Sequence, residues 1–318
     1  MSIPDYSYLG SGRIYMRDLA VPNQPMIELG NCSALAFSIQ EDVQELKSFT
    51  TPGGGTQNEV RRISAVECSI TMHDLIAANL ARAVNGTTST VAGAIARTNQ
   101  AMGTGARGAG QTRGFVPFPE IVSVAPAPVV RAVDGRTAIT RANTTAYAVG
   151  QYLVPAAPNG FFYRVTTAGT TAATPPTFNN TMGATTTDGT ATLTFMGRII
   201  LSPAGVDYDL RSSGVLLTTA ALYTDGEALE ADYTTVAQDL VQALVQGARE
   251  YEMFFDGLNE ARSSKRVTVR AFRVRLGAAQ NLGLIGEEFA ALEVTGKLLA
   301  DTTRAGGLSQ FFATGVEQ

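Results

Sequence analysis

Regular patterning begins at Ser33–Ile39, where Leu35, Phe37 and Ile39 alternate with small or polar residues. A period of two sends alternate side chains to opposite faces, so this segment predicts a half-buried strand. Val60–Ile70 predicts a second, with Val66, Cys68 and Ile70 on one face. Between them Gln40–Asn58 is charged and then turn-rich, passing through Thr50-Thr-Pro-Gly-Gly-Gly-Thr56. A proline followed by three glycines holds neither helix nor central strand, so the stretch reads as a long hairpin loop. The period then changes. Met72, Leu75, Ile76, Leu80, Ala83 and Val84 form one stripe at helical spacing. Thr71 and Asp74 stand at capping-box spacing, and Asn85-Gly86 supplies a stop, so a helix is expected that packs its stripe on a sheet.

Farther along, Tyr251–Asp256, Val267–Leu276 and Ala290–Leu298 predict three more strands. In the last, Ala290, Leu292, Val294 and Leu298 share a face, and Glu293, Thr295 and Lys297 take the other. The alternation slips phase between Ala271 and Phe272, which predicts a β-bulge. Ser309-Gln-Phe-Phe-Ala313 places an apolar patch on the C-terminal tail, suited to docking. Gln100–Gly114 is glycine-rich and reads as a loop. It lacks G-K-[ST] and has no strand before it or helix after it, so it is no phosphate cradle.

From Thr137 to Gly197 charge nearly vanishes while Thr, Ala, Gly and aromatics crowd in. Short β-prone runs (Thr145–Gly150, Asn159–Val165, Asp188–Phe195) are divided by Asn-Gly, Asp-Gly and Pro-Pro turns. Seven aromatics, Tyr147, Tyr152, Phe161, Phe162, Tyr163, Phe178 and Phe195, suffice for a small core. Residues 137–197 therefore read as a small all-β insertion, dividing a core domain of 1–136 and 198–318.

Composition narrows the function. At 318 residues, with 45% hydrophobic positions, the chain can bury a proper core. Only 16% is charged, against roughly 25% in typical soluble proteins. A subunit that hides surface against its own copies needs less charge, although the Thr/Ala/Gly-rich stretch also dilutes it. A net charge of −4 and a pI near 5.2 argue against gripping nucleic acid, which takes a concentrated basic patch. A mildly acidic wall would instead let a polyanion slide past. The N-terminus carries no secretion signal, and no apolar run approaches the ~18 residues of a membrane span.

Candidate chemistry is sparse. Cys32 and Cys68 form no C-x-x-C pair and read as free thiols in a reducing compartment, with a disulfide between them the alternative. The lone histidine, His73, has no Cys or carboxylate cluster near it in sequence and reads as a surface or capping residue. Without it a Ser-His-Asp or Cys-His site has no base. The acids Glu41, Asp42 and Glu45, then Glu227, Glu230 and Asp232, then Glu287 and Glu288, fit solvated faces better than a catalytic pair. Arg266, Arg270, Arg273 and Arg275 would pair with carboxylates across a subunit boundary. No enzyme, metal or cofactor is expected.

Several segments together resemble the major tail tube protein of long-tailed bacteriophages with flexible, non-contractile tails. They are Gly12-Arg-Ile-Tyr-Met-Arg17, Ile27-Glu-Leu-Gly-Asn31, Pro52-Gly-Gly-Gly-Thr56 leading into Arg62-Ile63, and Asn79-Leu-Ala-Arg-Ala-Val84. Then come Gly205-Val-Asp-Tyr-Asp209, Phe255-Asp-Gly-Leu-Asn-Glu260 and Gly283-Leu-Ile-Gly-Glu287, followed by Phe289. Gly296-Lys-Leu-Leu-Ala-Asp301 and Ser309-Gln-Phe-Phe312 complete the ordered set.

The resemblance implies two packed antiparallel sheets, a sandwich or half-barrel, flanked by one α-helix. It further implies hexameric rings, closed into one β-barrel, that stack into a tube through which viral DNA passes. Closing sheets between subunits removes edges that would otherwise aggregate. By the same analogy Lys47, Ser48, Phe49, Thr50, Pro52, Gly53, Gly54, Gly55 and Asn58 would bridge stacked rings. Ser38, Gln40 and Asp42 would face the lumen, and Ser309, Gln310, Phe311 and Phe312 would dock a C-terminal arm. Partners would be further copies and the terminator, tape-measure and tail-tip proteins of a virion assembled in the host cytoplasm. The insertion resembles β modules appended to phage virion proteins, some likened to carbohydrate-binding modules. The alternatives are a tail-tip adaptor or secretion-tube ring of the same fold, or a glycan-binding adhesin built on the insertion.

Overall fold

The computed structural model describes residues 7–50, 52–107, 114–203, 205–287 and 289–317. In chain order it runs β1 (Gly10–Asp18), β2 (Ile27–Glu28), β3 (Cys32–Lys47), β4 (Thr56–Met72), α1 (Ala77–Ala83) and β5 (Thr87–Val91). There follow β6 (Ala96–Thr104), β7 (Phe115–Pro117), β8 (Val129–Ala132), α2 (Val133–Thr137), β9 (Ile139–Thr140), β10 (Ala146–Tyr147) and β11 (Tyr152–Val154). Next are β12 (Phe161–Thr167), β13 (Gly169–Thr170), β14 (Thr185–Asp188), β15 (Ala191–Arg198), β16 (Tyr208–Arg211), β17 (Gly214–Leu217) and β18 (Ala228–Thr234). The chain closes with β19 (Gln238–Gln242), β20 (Glu250–Asn259), β21 (Lys265–Leu276), β22 (Leu292–Leu298) and β23 (Phe312–Val316). The protein is mainly β, as its periodicity predicts, with 50% of residues in strands and 5% in helices. Two compact units share it: Met1–Ser89 with Asp239–Gln318, and Thr90–Gln238.

The first unit holds an eight-stranded antiparallel sheet in the order β2-β1-β20-β21-β22-β4-β3, with β23 also paired to β21. Strict alternation along β4 buries Val66, Cys68, Ile70 and Met72. Ile14 and Met16 of β1, Met253 of β20, Val274 of β21 and Val294 of β22 enter the same cluster. Burying each such side chain contributes roughly 1.5–3 kcal/mol, so this face holds the sheet. The predicted phase slip in β21 is a bulge. Val274 stands opposite Tyr251 and Ala271 opposite Met253, so Phe272 and Arg273 share the space facing Glu252.

The expected helix is shorter than its stripe. β4 runs on through Thr71 and Met72 because Leu292 on one side and Cys32 on the other pair with Met72. No capping box forms. α1 starts at Ala77 without a side-chain cap, and Leu75 and Ile76 are exposed. The Asp74 carboxylate instead accepts the Asn31 backbone N–H at 2.9 Å. Fully buried Asn79 ties α1 down by donating to the carbonyls of Leu29 (2.6 Å) and Asp74 (3.2 Å).

The second unit holds a five-stranded sheet, β14-β15-β12-β11-β9, and two three-stranded sheets, β16-β17-β7 and β6-β18-β8. Gln100–Thr104, read above as part of a loop, is the second half of β6 and pairs with β18, while 108–113 lie outside the described residues. Residues 137–197 lie wholly within this unit, beside 90–136 and 198–238. Their aromatics divide between two clusters. Tyr147, Tyr163 and Phe195 join Leu153, Val165 and Leu193, whereas Phe162 packs with Ala132 and Met196. Successive side chains of a strand point to opposite faces, so the neighbours Phe162 and Tyr163 serve different clusters. The Asp188-Gly189 turn closes the β14–β15 hairpin, with Gly189 at φ +64° and its Cβ position occupied by Thr170 backbone. A side chain there meets both strain and collision.

The segment 137–197 has three charged residues, Arg141, Arg164 and Asp188, and two of them form a pair with both side chains 0% exposed. Arg141 donates to Asp188 through Nε (2.6 Å) and Nη2 (2.8 Å), and Asp188 also accepts the Ala172 N–H at 2.9 Å.

Candidate assembly surface

The predicted hairpin loop is for the most part strand. β3 and β4 stay paired beyond the core from Gln40↔Ala65 out to Lys47↔Thr56, with register shifts at Gln40/Glu41 and Leu46/Lys47. Polar side chains of the charged stretch meet across the strands: Arg61 lies 3.5 Å from Glu41, and Thr56 donates to Glu45 at 3.3 Å. The loop proper is 48–55, opened by the Ser48 N–H donating to the Gly55 carbonyl at 2.8 Å. Lys47 and Asn58 sit in the last pairs before the tip, and Ser48, Phe49, Thr50, Pro52, Gly53, Gly54 and Gly55 form the tip itself. Thr51 lies outside the described residues. Phe49 is 88% exposed.

Past the core the ribbon is exposed on both faces. Ile39, Val43 and Ile63 lie on one face, Leu46 and Val60 on the other, all exposed. The half-buried alternation expected of Leu35, Phe37 and Ile39 therefore ends at Phe37, because Ile39 has already left the core cluster. Along all of β3 only β4 pairs, so among the described residues the other edge of this 16-residue strand carries no partner. At the opposite side of the sheet, β2 covers β1 only at Tyr15 and Met16. Two further apolar side chains, Ile285 (100%) and Phe289 (95%), stand in solvent in the β21–β22 connection.

Ser38, Gln40 and Asp42 fall on one face of β3, all exposed, opposite the core. Gln40 donates to Glu67 at 3.1 Å, and Lys297 stands 3.8 Å from the same carboxylate. The arginines expected to reach across a subunit boundary find their acids within the chain. Arg266 pairs with Asp256 (2.9 Å), Arg270 with Glu252 (2.6 Å), and Arg273 and Arg275 with Glu250 (2.7 and 2.5 Å). The reason is register: β20 lies antiparallel to β21 and sets an acid near each guanidinium. Two guanidinium hydrogen bonds, led by that of Arg273, hold the Glu250 carboxyl below its usual range.

The C-terminal patch docks on its own chain. Phe312 opens β23 opposite Ala271 and stacks on Phe37 with ring centroids 5.3 Å apart. Phe311 accepts the Phe272 N–H at 3.1 Å, Gln310 accepts that of Asp301 at 2.9 Å, and the Ser309 hydroxyl accepts those of Phe311 and Phe312.

Cys68 is buried opposite Phe37, Cys32 sits opposite Met72, and both are free thiols. Burial pushes each thiol up to about 11. His73 follows β4 directly and donates its backbone N–H to Asn31 at 2.8 Å. Of the scattered acids, Glu41 pairs with Arg61, Glu230 with Arg136 and Asp232 with Arg131. Glu288 lies outside the described residues.

Glu227 differs. It is 7% exposed, and burial, aided by the neighbouring charge of Asp134, pushes its carboxyl from 4.5 up to about 7. A group that binds its proton more tightly folded than unfolded costs stability as pH rises from the unfolded value through the folded one. The penalty is absent below 4.5, grows to about pH 7 and then stays, reaching on the order of 3 kcal/mol. Glu227→Gln keeps the acceptor for the Asp134 N–H and removes the charge. It should raise the melting temperature at pH 8 and change it little at pH 4.5. A stabilisation equal at both pH values would exclude this account.

A family model described as Protein of unknown function UCP028589 matches residues 7–176 and 185–314. The chain belongs to this family. The family's match enters both compact units and includes most of 137–197, breaking off only at 177–184, between β13 and β14. No curated protein matches the chain. No helix among the described residues is long and apolar enough to cross a membrane.

Proposed function

We propose that this chain is a self-assembling structural subunit of a hollow tube, of the kind that carries DNA through the tail of a long-tailed bacteriophage. The observation that carries the reading is the β3–β4 ribbon. A two-stranded ribbon alone in water is marginal, and a long strand edge bearing apolar side chains invites pairing. Here Phe49 crowns such a ribbon, with Ile39, Val43, Leu46, Val60 and Ile63 exposed along it. Among the described residues the sheet has two uncovered edges of different sequence, β3 and the start of β1. Unlike edges join head to tail, and head-to-tail contacts close into rings when the rotation closes. The ribbon tip then reaches a neighbouring ring.

The polar face with Ser38, Gln40 and Asp42 becomes the lumen wall in this arrangement. The guanidiniums of Arg266, Arg270, Arg273 and Arg275 on β21 are matched by acids of the same chain, so passing phosphates release few counterions there and are not held. The subunit would work in a virion tail, built in the host cytoplasm with the proteins that cap, measure and tip it.

Electron microscopy and sedimentation of the concentrated full-length protein test this. Long tubes of uniform width are expected. A preparation that remains monomeric at high concentration refutes the reading, and isolated rings that never stack point to an adaptor instead.

A further inference from the structure

At the C-terminal end of α1 lies a cavity of about 330 Å³, lined among others by Asp18, Gln24, Arg82, Gln246, Arg249 and Tyr251. Every lining residue belongs to the first compact unit, and none lies on β3 or β4. Two guanidiniums and one carboxylate meet there, leaving one positive charge. Asp18, 6% exposed, is already committed: it accepts Arg249 Nη1 at 2.5 Å and the Ala20 N–H at 2.8 Å. Arg82 is not matched in this way. Its hydrogen bond goes to the neutral Asn79 Oδ1 at 2.8 Å, and among the described residues no carboxylate stands within ion-pair distance of it. Burial lowers the Arg82 pKa despite the nearby Tyr251 and Asp18. Gln24 spends its carbonyl oxygen on the Asp18 N–H at 2.9 Å, which leaves its amide –NH2 as a second donor at the cavity.

We propose that this cavity binds a carboxylate, with Arg82 as the cation that receives it. A planar guanidinium fork matches a carboxylate in shape and charge. A monoanion cancels the single surplus charge. Phosphate, carrying more than one charge, would set an uncompensated negative charge beside buried Asp18. The carboxylate comes either from a free small acid or from an acidic side chain of a second copy.

Thermal unfolding of the full chain in sodium acetate, sodium phosphate and sodium chloride at matched ionic strength and pH 7 decides the matter. Acetate should raise the melting temperature saturably in the millimolar range, and Arg82→Gln should lose that response. Where Arg82→Gln does not fold, Arg82→Lys serves, and loss of the fork should weaken acetate binding several-fold. Acetate that slows wild-type assembly identifies a neighbouring copy as the source; acetate that stabilises without touching assembly identifies a free acid. Equal effects of acetate and chloride, an undiminished response in the variant, or phosphate outperforming acetate would each overturn the proposal.

Discussion

Asp188→Ala is expected to destabilise the second unit by about 3–5 kcal/mol, because it leaves the Arg141 guanidinium buried without its counter-charge. The loss exceeds that of a surface pair, typically 0–1 kcal/mol, since water cannot replace the missing partner. It also strips the Ala172 N–H of its acceptor, a further share of roughly 1–3 kcal/mol if that group stays dry. Chemical denaturation read through near-ultraviolet tyrosine signals measures the change. A control separates charge from packing: Arg141→Met with Asp188→Leu removes both charges and should recover part of the loss. Burial pushes the Asp188 carboxyl up, but the Arg141 hydrogen bonds, the Ala172 N–H and the Arg141 charge outweigh it and bring it below its ordinary 3.8. A depressed carboxyl gives stability above the unfolded value that is lost as pH falls through the folded one. Wild type and variant should therefore converge only below about 3.8. A loss under 1 kcal/mol at neutral pH would mean that the pair is hydrated or dispensable.

That pair marks where the sequence stops being readable. Val66, Cys68, Ile70 and the face led by Leu292 and Val294 are legible because one buried side imposes a period of two. The bulge at Phe272 is legible as a break in it. Arg141 and Asp188 stand 47 positions apart, and nothing local marks either as buried. The arginines of β21 misled for a related reason: their partners on β20 are fixed by register, which composition does not encode. The extent of β3 and β4 was hidden differently. Where both faces of a ribbon meet solvent, no alternation survives, and Gln40–Asn58 looks like a loop although most of it pairs. The start of α1 misled because Thr71-Met72 fits strand and helix alike, and pairing to Leu292 decided it. Of the candidate assembly surface, only the glycine-rich turn and the residues sharing one β3 face were legible in the sequence. That the outer edge of β3 carries no partner among the described residues was not legible.

Replacing Ser48–Gly55 by Asn-Gly should abolish long tubes while leaving the fold intact. Lys47 and Thr56 are the last paired positions, and a two-residue Asn-Gly turn joins such strands in a twist they accept. The described residues of the tip make no contribution to the core cluster, so the melting temperature and far-ultraviolet circular dichroism should be unchanged within error. Assembly should respond sharply. Phe49 is 88% exposed in the single chain, and burying such a side chain contributes roughly 1.5–3 kcal/mol per contact. In the proposed ring every copy would present one tip to the next ring, so these contacts would act together and stacking affinity would fall far more than one side chain accounts for. In that arrangement ring closure through the β3 and β1 edges would not use the tip and should survive, giving particles of ring mass. Phe49→Ser isolates the side chain and should shorten tubes less than the deletion. Tubes of undiminished length from the shortened chain would show that the ribbon tip plays no part in stacking. Failure of rings as well would shift the weight of assembly from the sheet edges to the ribbon.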